Sequence, residues 1–469
     1  MQEKRGLVMY DYDIIVIGAG PGGYPAAIRA AQLGKKTAIV EQEAFGGTCL
    51  NWGCIPTKAL IASAERYHQV ATAERFGVTT AGVSFDYARM VARKCEIVGR
   101  LTGGIQALLK SNGVERVHGT ARFGGPNRIS VVQSDGATRW LSAASILIAT
   151  GSDSAMPGFL PKDKRVMDSR AFLDLTVLPE SLLILGGGVI GCEFACMAAM
   201  LGTKVTIVEM LEDVVMMLDH DVRRVLRRRM EALGITVLTG APLADVAVKR
   251  GGVAGTFKGQ KLMGDALLVA VGRRPNTATL GLDCAGVNVD ARGAIPVDAQ
   301  GRTTVASIFA VGDVVAGSLQ LAHAATQQGV AAAEAAAGMR SNVEKTCPSC
   351  IFTSPEIGLV GLTEAKAQEL GRAVNVAVFP FAALGKAMAA GETDGFVKWI
   401  ADPVTGQLLG AQAIGCHATE LISEAATAIR NEWTADEIGH SIHCHPTLSE
   451  SWMEAANVLH GACIHLPKR

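Results

Sequence analysis

Two cysteines, Cys49 and Cys54, stand five residues apart in the stretch Gly46-Gly47-Thr48-Cys49-Leu50-Asn51-Trp52-Gly53-Cys54-Ile55-Pro56-Thr57-Lys58. In a regular helix, residues at that spacing have Cα atoms roughly 8.6 Å apart, whereas a disulfide needs less than about 7 Å. If the two sulfurs pair, this segment must be distorted, and Gly53 and Pro56 favour distortion. Such a bridge closes only a short loop and stabilises the fold little. It therefore suits reversible redox work better than stapling. Lys58 lies four residues after Cys54. Once helix has begun it shares a face with Cys54, and its ammonium favours a thiolate there. The competing reading is a pair of ordinary buried thiols.

A second constellation lies near the other end: His443-Cys444-His445-Pro446-Thr447-Leu448-Ser449-Glu450. A histidine here can serve as general base for a thiol, oriented by a carboxylate. Thr447-Leu448-Ser449-Glu450 also fits the capping box T-x-x-E, which makes Glu450 a helix cap. The residues alone leave both open. A metal site from His443, Cys444 and His445 is disfavoured because adjacent side chains alternate in direction, and no metal is expected. Cys347-Pro348-Ser349-Cys350 has C-x-x-C spacing but no further ligands nearby. It reads as an incidental pair at a strand start, with a second dithiol as the alternative.

These groups need a scaffold, and a repeated pattern supplies one. Tyr12–Ile17 is a short apolar run followed by Gly18-Ala19-Gly20-Pro21-Gly22-Gly23, a helical segment to Leu33 and a strand Thr37–Glu41. Ser181–Leu185 is followed by Gly186-Gly187-Gly188-Val189-Ile190-Gly191, a helical segment to Leu201 and a strand Lys204–Glu209. In both, the acid falls 18 residues after the third glycine, near the ~20 expected of a dinucleotide-binding fold. Gly18 and Gly186 permit the tight turn, Gly20 and Gly188 let backbone approach a pyrophosphate, and Gly23 and Gly191 let helix pack on strand. The helix N-terminus then faces the phosphates with open N–H groups. Glu41 and Glu209 are placed to accept from ribose hydroxyls. No arginine stands in Met210-Leu211-Glu212-Asp213 to receive a 2′-phosphate, which favours NAD over NADP at the second site.

Helical periodicity covers Ala59–Arg75, Met90–Leu109, Asp219–Leu233 and Leu421–Asn431, and the Ala-rich run from Ala322 to Ala337 reads as a packed helix. Short strands fill Val117–Leu147 and Ile351–Ile414. In the latter, Phe396–Ile400 and Leu408–Ile414 flank the turn Asp402–Gly406 as a hairpin. The expected architecture is α/β: two Rossmann-like dinucleotide-binding domains plus a C-terminal α+β dimerisation domain. The boundaries are 1–150 (first nucleotide domain), 151–276 (second), 277–345 (continuation of the first) and 346–469 (interface domain).

The 469 residues suffice for about three domains. Apolar residues make up 49%, and 44 basic residues balance 44 acidic ones. Zero net charge gives no support for nucleic acid or an anionic membrane as partner. The N-terminus has no apolar h-region and no run reads as a membrane span. A cytoplasmic protein is expected, although a cleaved organellar presequence leaves no trace. The eleven cysteines are scattered, unlike those of a secreted scaffold. Cys95, Cys192, Cys196 and Cys284 are expected to be thiols packed as small hydrophobes.

At these motifs the sequence resembles the pyridine nucleotide-disulfide oxidoreductases, and among them the dihydrolipoamide dehydrogenase branch. The resemblance runs from about Tyr12 to Leu466. It is carried by Gly46–Lys58, Ala149-Thr150-Gly151, Val271-Gly272-Arg273-Arg274-Pro275-Asn276, Phe309-Ala310-Val311-Gly312-Asp313 and His445–Glu450. It implies FAD at the first glycine motif, with Glu41 on the adenosine ribose and Asp313 on the ribityl chain, and NAD at the second. Thr48, Lys58, Thr150, Gly151, Gly272 and Ala322 are implied cofactor contacts. Cys54 is implied to face the flavin and Cys49 to exchange with substrate. Lys58 and Glu193 are implied to pair beside the flavin ring. His445, oriented by Glu450, is implied to be the base, contributed by the partner subunit of a homodimer. The resemblance thus favours catalysis at His445, while Glu450 can still cap. Val189 stands where glutathione reductases carry a tyrosine lid, and the tail Gly461–His465 has one cysteine where mercuric reductases have a vicinal pair. The implied activity is oxidation of dihydrolipoamide with reduction of NAD. The implied partner is the lipoyl arm of a 2-oxoacid dehydrogenase or glycine cleavage complex. Cys347, Cys350 and Cys444 lie outside the family pattern.

Overall fold

A computed structural model describes residues 9–467. The chain forms two compact units. One comprises the chain up to Ala59, Ala88–Ala155 and Gly272–Glu344; the other comprises Leu60–Tyr87, Met156–Val271 and the chain from Lys345.

The first unit is built on a parallel sheet. Tyr12–Ile17 pairs with Thr37–Glu41 on one side and with the second half of Thr138–Ile148 on the other. Glu115–His118 extends one edge, and Ile308–Ala310 adds parallel to Thr138–Ile148. The central strands read YDIIVI and TAIVE and are buried almost throughout, as strands covered on both faces must be. The first half of Thr138–Ile148 turns away and joins Arg128–Val132 and Thr120–Gly125 in an antiparallel meander. Small residues set the helix packing. Ala26, Ala27 and Ala30 of the helix Gly23–Gln32 are fully buried. A Cβ on Gly329, in the Ala-rich helix Ala322–Ala336, would lie 2.1 Å from the Gly22 carbonyl oxygen. Arg29 and Glu334 close the same helix pair at 2.7 Å.

The second unit contains the repeat of that pattern. Ser181–Leu185 lies between Lys204–Val208 and Ala266–Val269, flanked by Thr236–Leu238 and Val166–Met167, all parallel. An antiparallel three-stranded sheet spans Ala244–Lys249, Gly252–Phe257 and Gln260–Gly264. Beyond Lys345 come five antiparallel strands in the order Ser349–Ile351, Glu356–Gly361, Leu408–Gly415, Phe396–Ala401, Asn375–Pro380. The expected hairpin is there, its turn held by Val404 and Thr405 N–H groups donating to Asp402 at 3.0 Å each. Helices Ala418–Arg430 and Glu450–Leu459 cover this sheet. Its core is the fully buried pair Trp399 and Trp452, ring centroids 4.6 Å apart. Each indole N–H finds a carbonyl, Trp452 and Leu421 respectively, at 3.0 Å, as buried tryptophans require.

One cysteine expectation needs correction. Cys192 and Cys196 are buried, but Cys95 and Cys284 are exposed. Cys95 follows Lys94, which takes the inward position on the helix Tyr87–Ser111. Cys284 lies on the outer side of a single helical turn, Leu282–Ala285, whose Leu282 and Ala285 point inward.

Candidate active site

The redox segment is two helices with a break between them. Gly47–Trp52 ends at Gly53, and a new helix, Cys54–Ala71, begins at once. A Cβ on Gly53 would lie 2.8 Å from the Thr48 carbonyl oxygen, so only glycine fits this corner. The distortion brings Cys49 and Cys54 into contact as thiols, Cys49 half-buried and Cys54 exposed. The hydrogen bond that Cys49 donates to the Cys54 sulfur, reinforced by burial, pushes the Cys49 thiol far above the ordinary range, against the pull of the Lys58 charge. Cys49 therefore keeps its proton and directs it at Cys54.

The segment is seated on the first glycine loop. Gly46 and Gly47 both have positive φ, 101° and 56°. A Cβ on Gly47 would meet the Gly20 Cα at 2.5 Å, and the Gly46 N–H donates to the Ala19 carbonyl at 2.8 Å. Backbone thus touches backbone between the cysteine segment, with Thr48 in its first helix, and the turn that precedes the helix Gly23–Gln32.

The two glycine motifs match each other closely. A Cβ on Gly18 would lie 2.3 Å from the Ala149 oxygen, and one on Gly186 2.4 Å from the Ala270 oxygen. On Gly23 and Gly191 it would lie 1.9 and 2.0 Å from the oxygens of Gly18 and Gly186. The middle glycines differ in kind. A Cβ on Gly188 would meet nothing within 4 Å, and one on Gly20 only Gly47 Cα at 3.8 Å. Packing does not forbid a side chain there, but a side chain would fill the space over the helix N-terminus that a pyrophosphate needs. The residues present therefore fit a dinucleotide at each motif.

The two carboxylates also behave alike. Glu41 accepts from Ala19 N–H at 2.7 Å and Glu43 N–H at 2.8 Å; Glu209 accepts from Gly187 N–H at 2.6 Å and Leu211 N–H at 2.8 Å. Each buried carboxylate fastens the glycine loop to the turn beyond the second strand. In the first unit Glu41 lines a pocket with Gly18, Thr120, Thr150, Asn276 and Thr279. Thr120 and Thr279 were invisible in the sequence because no local motif marks them. Nearby, the Thr150 hydroxyl donates to the Asn276 carbonyl at 2.8 Å, and Gly151 and Gly272 take positive φ of 68° and 110°. Asp313 lies in the turn Gly312–Val314, and Ala322 opens the helix Ala322–Ala336.

In the second unit His445 Nδ1 lies 2.9 Å from Glu450 Oε1, while Glu450 Oε2 accepts the Thr447 N–H at 2.8 Å. Glu450 stands against His445, but the capping box does not form: the helix Glu450–Leu459 starts at Glu450 itself, with Ser449 before it and no side-chain cap. The Thr447 hydroxyl donates to the Cys444 carbonyl instead of accepting from the helix. Burial raises the Glu450 pKa, but the Thr447 N–H and His445 outweigh it and hold the carboxyl below its ordinary range. The His445 side chain is 77% exposed. Next to it, His443 is nearly buried against Glu424 at 2.7 Å, and that hydrogen bond raises its pKa. Glu193, buried in Val189–Met200, accepts the Phe352 N–H at 2.9 Å. Lys58 stands one turn into the helix that begins at Cys54. Cys347 and Cys350 each turn toward a backbone carbonyl, of Pro348 and Thr419. Among the described residues no cluster of three histidine, cysteine or carboxylate groups could hold a metal, and no helix is long and apolar enough to cross a membrane.

Comparison with known proteins agrees with this geometry. Residues 12–329 match the model of the pyridine nucleotide-disulphide oxidoreductase domain, and residues 347–456 match the dimerisation domain of the same family. The dihydrolipoyl dehydrogenase of Chlamydia muridarum is 42% identical over 460 residues, covering 97% of this chain and 98% of that protein. That of Geobacillus stearothermophilus is 43% identical over 462 residues, covering 97% of each. Among solved structures, LpdA from Mycobacterium tuberculosis superposes with a TM-score of 0.90 at 30% identity, covering 95% of this chain and 99% of that one. The HOCl-induced flavoprotein disulfide reductase RclA from Escherichia coli gives 0.86 at 30% identity, covering 95% and 100%. The chain belongs to the pyridine nucleotide-disulphide oxidoreductase family.

Proposed function

We propose that the chain oxidises dihydrolipoamide to lipoamide and reduces NAD, through FAD and the Cys49–Cys54 pair. The observation that carries the redox reading is the break at Gly53, which sets the two thiols in contact. The choice of substrate is supported by the dihydrolipoyl dehydrogenases that are 42% and 43% identical over nearly the whole chain.

When bound, FAD at the Gly18-Gly20-Gly23 motif and NAD at the Gly186-Gly188-Gly191 motif supply the hydride chemistry. Glu41 and Asp313 are assigned to the adenosine ribose and the ribityl chain, Lys58 and Glu193 to the flavin ring, Glu209 to the NAD ribose, and Thr48, Thr150, Gly151, Gly272 and Ala322 to cofactor binding. The protein's own steps concern thiols and their protons. Glu450 Oε1 holds the proton of His445 on Nδ1, which leaves Nε2 as an acceptor. Nε2 takes the proton of one substrate thiol. The resulting thiolate attacks Cys49 in the oxidised pair, the Cys49–Cys54 bond breaks, and Cys54 leaves with the electron pair. The second substrate thiol then displaces Cys49 and yields its proton to the departing Cys49 thiolate, so the substrate departs as a disulfide. Cys49 regains a proton, the arrangement in which Cys49 donates to Cys54. The family's dimerisation domain supports a homodimer. Lipoyl domains of a 2-oxoacid dehydrogenase complex, or a lipoyl carrier protein, are the assigned partners, in the cytoplasm.

The test is a substrate panel with the purified protein: dihydrolipoamide with NAD, and glutathione disulfide and mercuric ion with NADH or NADPH. Dihydrolipoamide should exceed both by orders of magnitude in kcat/KM. Faster turnover of glutathione disulfide or mercuric ion would overturn the assignment of substrate.

A further inference from the structure

The chain leaves the first unit after Ala155 and re-enters it at Gly272. Just inside the unit these two crossings form an antiparallel ribbon, Ser152–Ser154 against Arg273–Pro275. The ribbon is fastened further by Asn276 N–H to the Gly151 carbonyl and Ala155 N–H to the Gly272 carbonyl, each at 2.9 Å.

One polar relay runs from this ribbon to Asp313. Arg273 Nε donates to the Ser152 hydroxyl at 2.7 Å, and its Nη2 donates to the Ser152 carbonyl. Ser152 is 1% exposed and its hydroxyl lies 2.5 Å from Asp313 Oδ2. A guanidinium only donates. With its oxygen accepting from Arg273, the hydroxyl must send its single proton to Asp313. Its orientation is therefore settled, and because the acceptor is a carboxylate the bond is charge-assisted. The guanidinium also stands 3.8 Å from the same Oδ2. Oδ1 of Asp313 accepts no hydrogen bond from any described residue. The turn that carries Asp313 is itself held by Gln328, whose side-chain oxygen accepts the Gly312 N–H at 2.8 Å.

We propose that Ser152 and Arg273 are positioning residues for the flavin. From the two chain crossings they engage one oxygen of Asp313 and so present the other to the ribityl hydroxyls. The proposal rests on the flavin contact assigned to Asp313. Neither residue needs to touch the flavin. Their action is to spare Asp313 the entropy of being ordered when the cofactor binds.

The test measures FAD release from the holoenzyme, followed as the rise in flavin fluorescence on dilution into concentrated bromide. Asp313→Asn should release FAD faster than wild type. Ser152→Ala should accelerate release roughly tenfold, the scale of one charge-assisted hydrogen bond, and Ser152→Thr, which keeps the hydroxyl, should restore the wild-type rate. In the Asp313→Asn background, Ser152→Ala should add nothing, because it acts through that carboxylate. An equal acceleration in both backgrounds would show that Ser152 only braces the ribbon, and would overturn the proposal. A wild-type rate in Asp313→Asn would overturn the flavin contact of Asp313 itself, a distinguishable failure. Should Ser152→Ala not fold, Arg273→Lys decides by the same cycle, since lysine keeps the charge but cannot donate to both Ser152 oxygens in the same fork. An unchanged release rate in Arg273→Lys would overturn the proposal as well.

Discussion

Cys49 and Cys54 sit in unequal surroundings, and the roles proposed for them follow that difference. Cys49 is held protonated by its bond to Cys54. Cys54, one turn before Lys58, is the sulfur suited to carry negative charge. With FAD bound, Cys49→Ser should show long-wavelength absorbance before any reductant is added, because an unbridged Cys54 thiolate then faces the flavin. Cys54→Ser should lack it, and the reverse pattern would exchange the two roles. Glu209 sets the other residue-scale choice. NADH should exceed NADPH by more than tenfold in kcat/KM, since a 2′-phosphate beside a carboxylate costs at least about 1.4 kcal/mol. The sequence window after Glu209 holds no arginine, yet the fold brings two from the helix His220–Ala232 to that loop. Arg223 and Arg227 lie 3.0 and 3.5 Å from Asp213. Their charge is engaged by that carboxylate and so is withheld from a phosphate. Asp213→Asn should therefore raise kcat/KM for NADPH severalfold while leaving NADH nearly unchanged. Equal use of both cofactors by wild type would remove the role given to Glu209. Arginines fourteen and eighteen residues downstream of Glu209 carry no signal in a linear reading, because only the return of that helix makes them neighbours.

At the scale of elements, the first residue of the helix Glu450–Leu459 ties the segment before it to His445. The two oxygens of Glu450 have different duties, Oε1 toward His445 and Oε2 toward the Thr447 N–H. Glutamine has only one oxygen. If that oxygen keeps Thr447, the amide NH₂ faces Nδ1 of His445, so Nδ1 must become the acceptor and the proton moves to Nε2. Glu450→Gln should thus keep the melting temperature and lose at least about tenfold in dihydrolipoamide oxidation, less than the 10²–10⁴-fold that removing a general base costs. Unchanged turnover would leave Glu450 only its bond to the Thr447 N–H. His443, beside it, makes a pH-dependent contribution. Its bond to Glu424 raises its folded pKa, so the stabilisation is fully present below the unfolded value of about 6.5 and is lost as pH rises through the folded one. The melting temperature of wild type over His443→Gln should show a gap at pH 6 that closes in the alkaline direction; a gap that widens instead would contradict the ion pair. The strand–glycine–helix–strand–acid pattern was legible because each part serves a local steric demand, and the hairpin around Asp402 for the same reason. The docking of Gly47 on Gly20, the relay from Ser152 to Asp313 and the outward turn of Cys95 were not. Each depends on which segments meet in space, and burial of Lys94 shows that helical periodicity alone does not say which face is inner.

At the scale of the whole molecule, the reactive groups are divided. Cys49 and Cys54 belong to the first compact unit, His445 and Glu450 to the second, nearly 400 residues further along the chain. The His445 side chain is 77% exposed although it is fastened by its carboxylate. The region that carries it matches a dimerisation domain. These three observations support the proposal that His445 serves a site completed by association. On that proposal, each active site of a homodimer combines the cysteines of one protomer with His445 and Glu450 of its partner. His445→Gln should lose most dihydrolipoamide oxidation while keeping NADH-to-dye activity, which bypasses the thiol step. Mixing distinguishes the two geometries. Cys54→Ser and His445→Gln homodimers should each be nearly inactive toward dihydrolipoamide. Their heterodimer, if the base crosses over, contains one site with both lesions and one with neither, so about half the wild-type activity per dimer should return. If the base serves its own protomer, each site of the heterodimer keeps one lesion and no activity returns. Verified heterodimers, separated by distinct affinity tags and assayed before subunits can exchange, give the answer from a single rate.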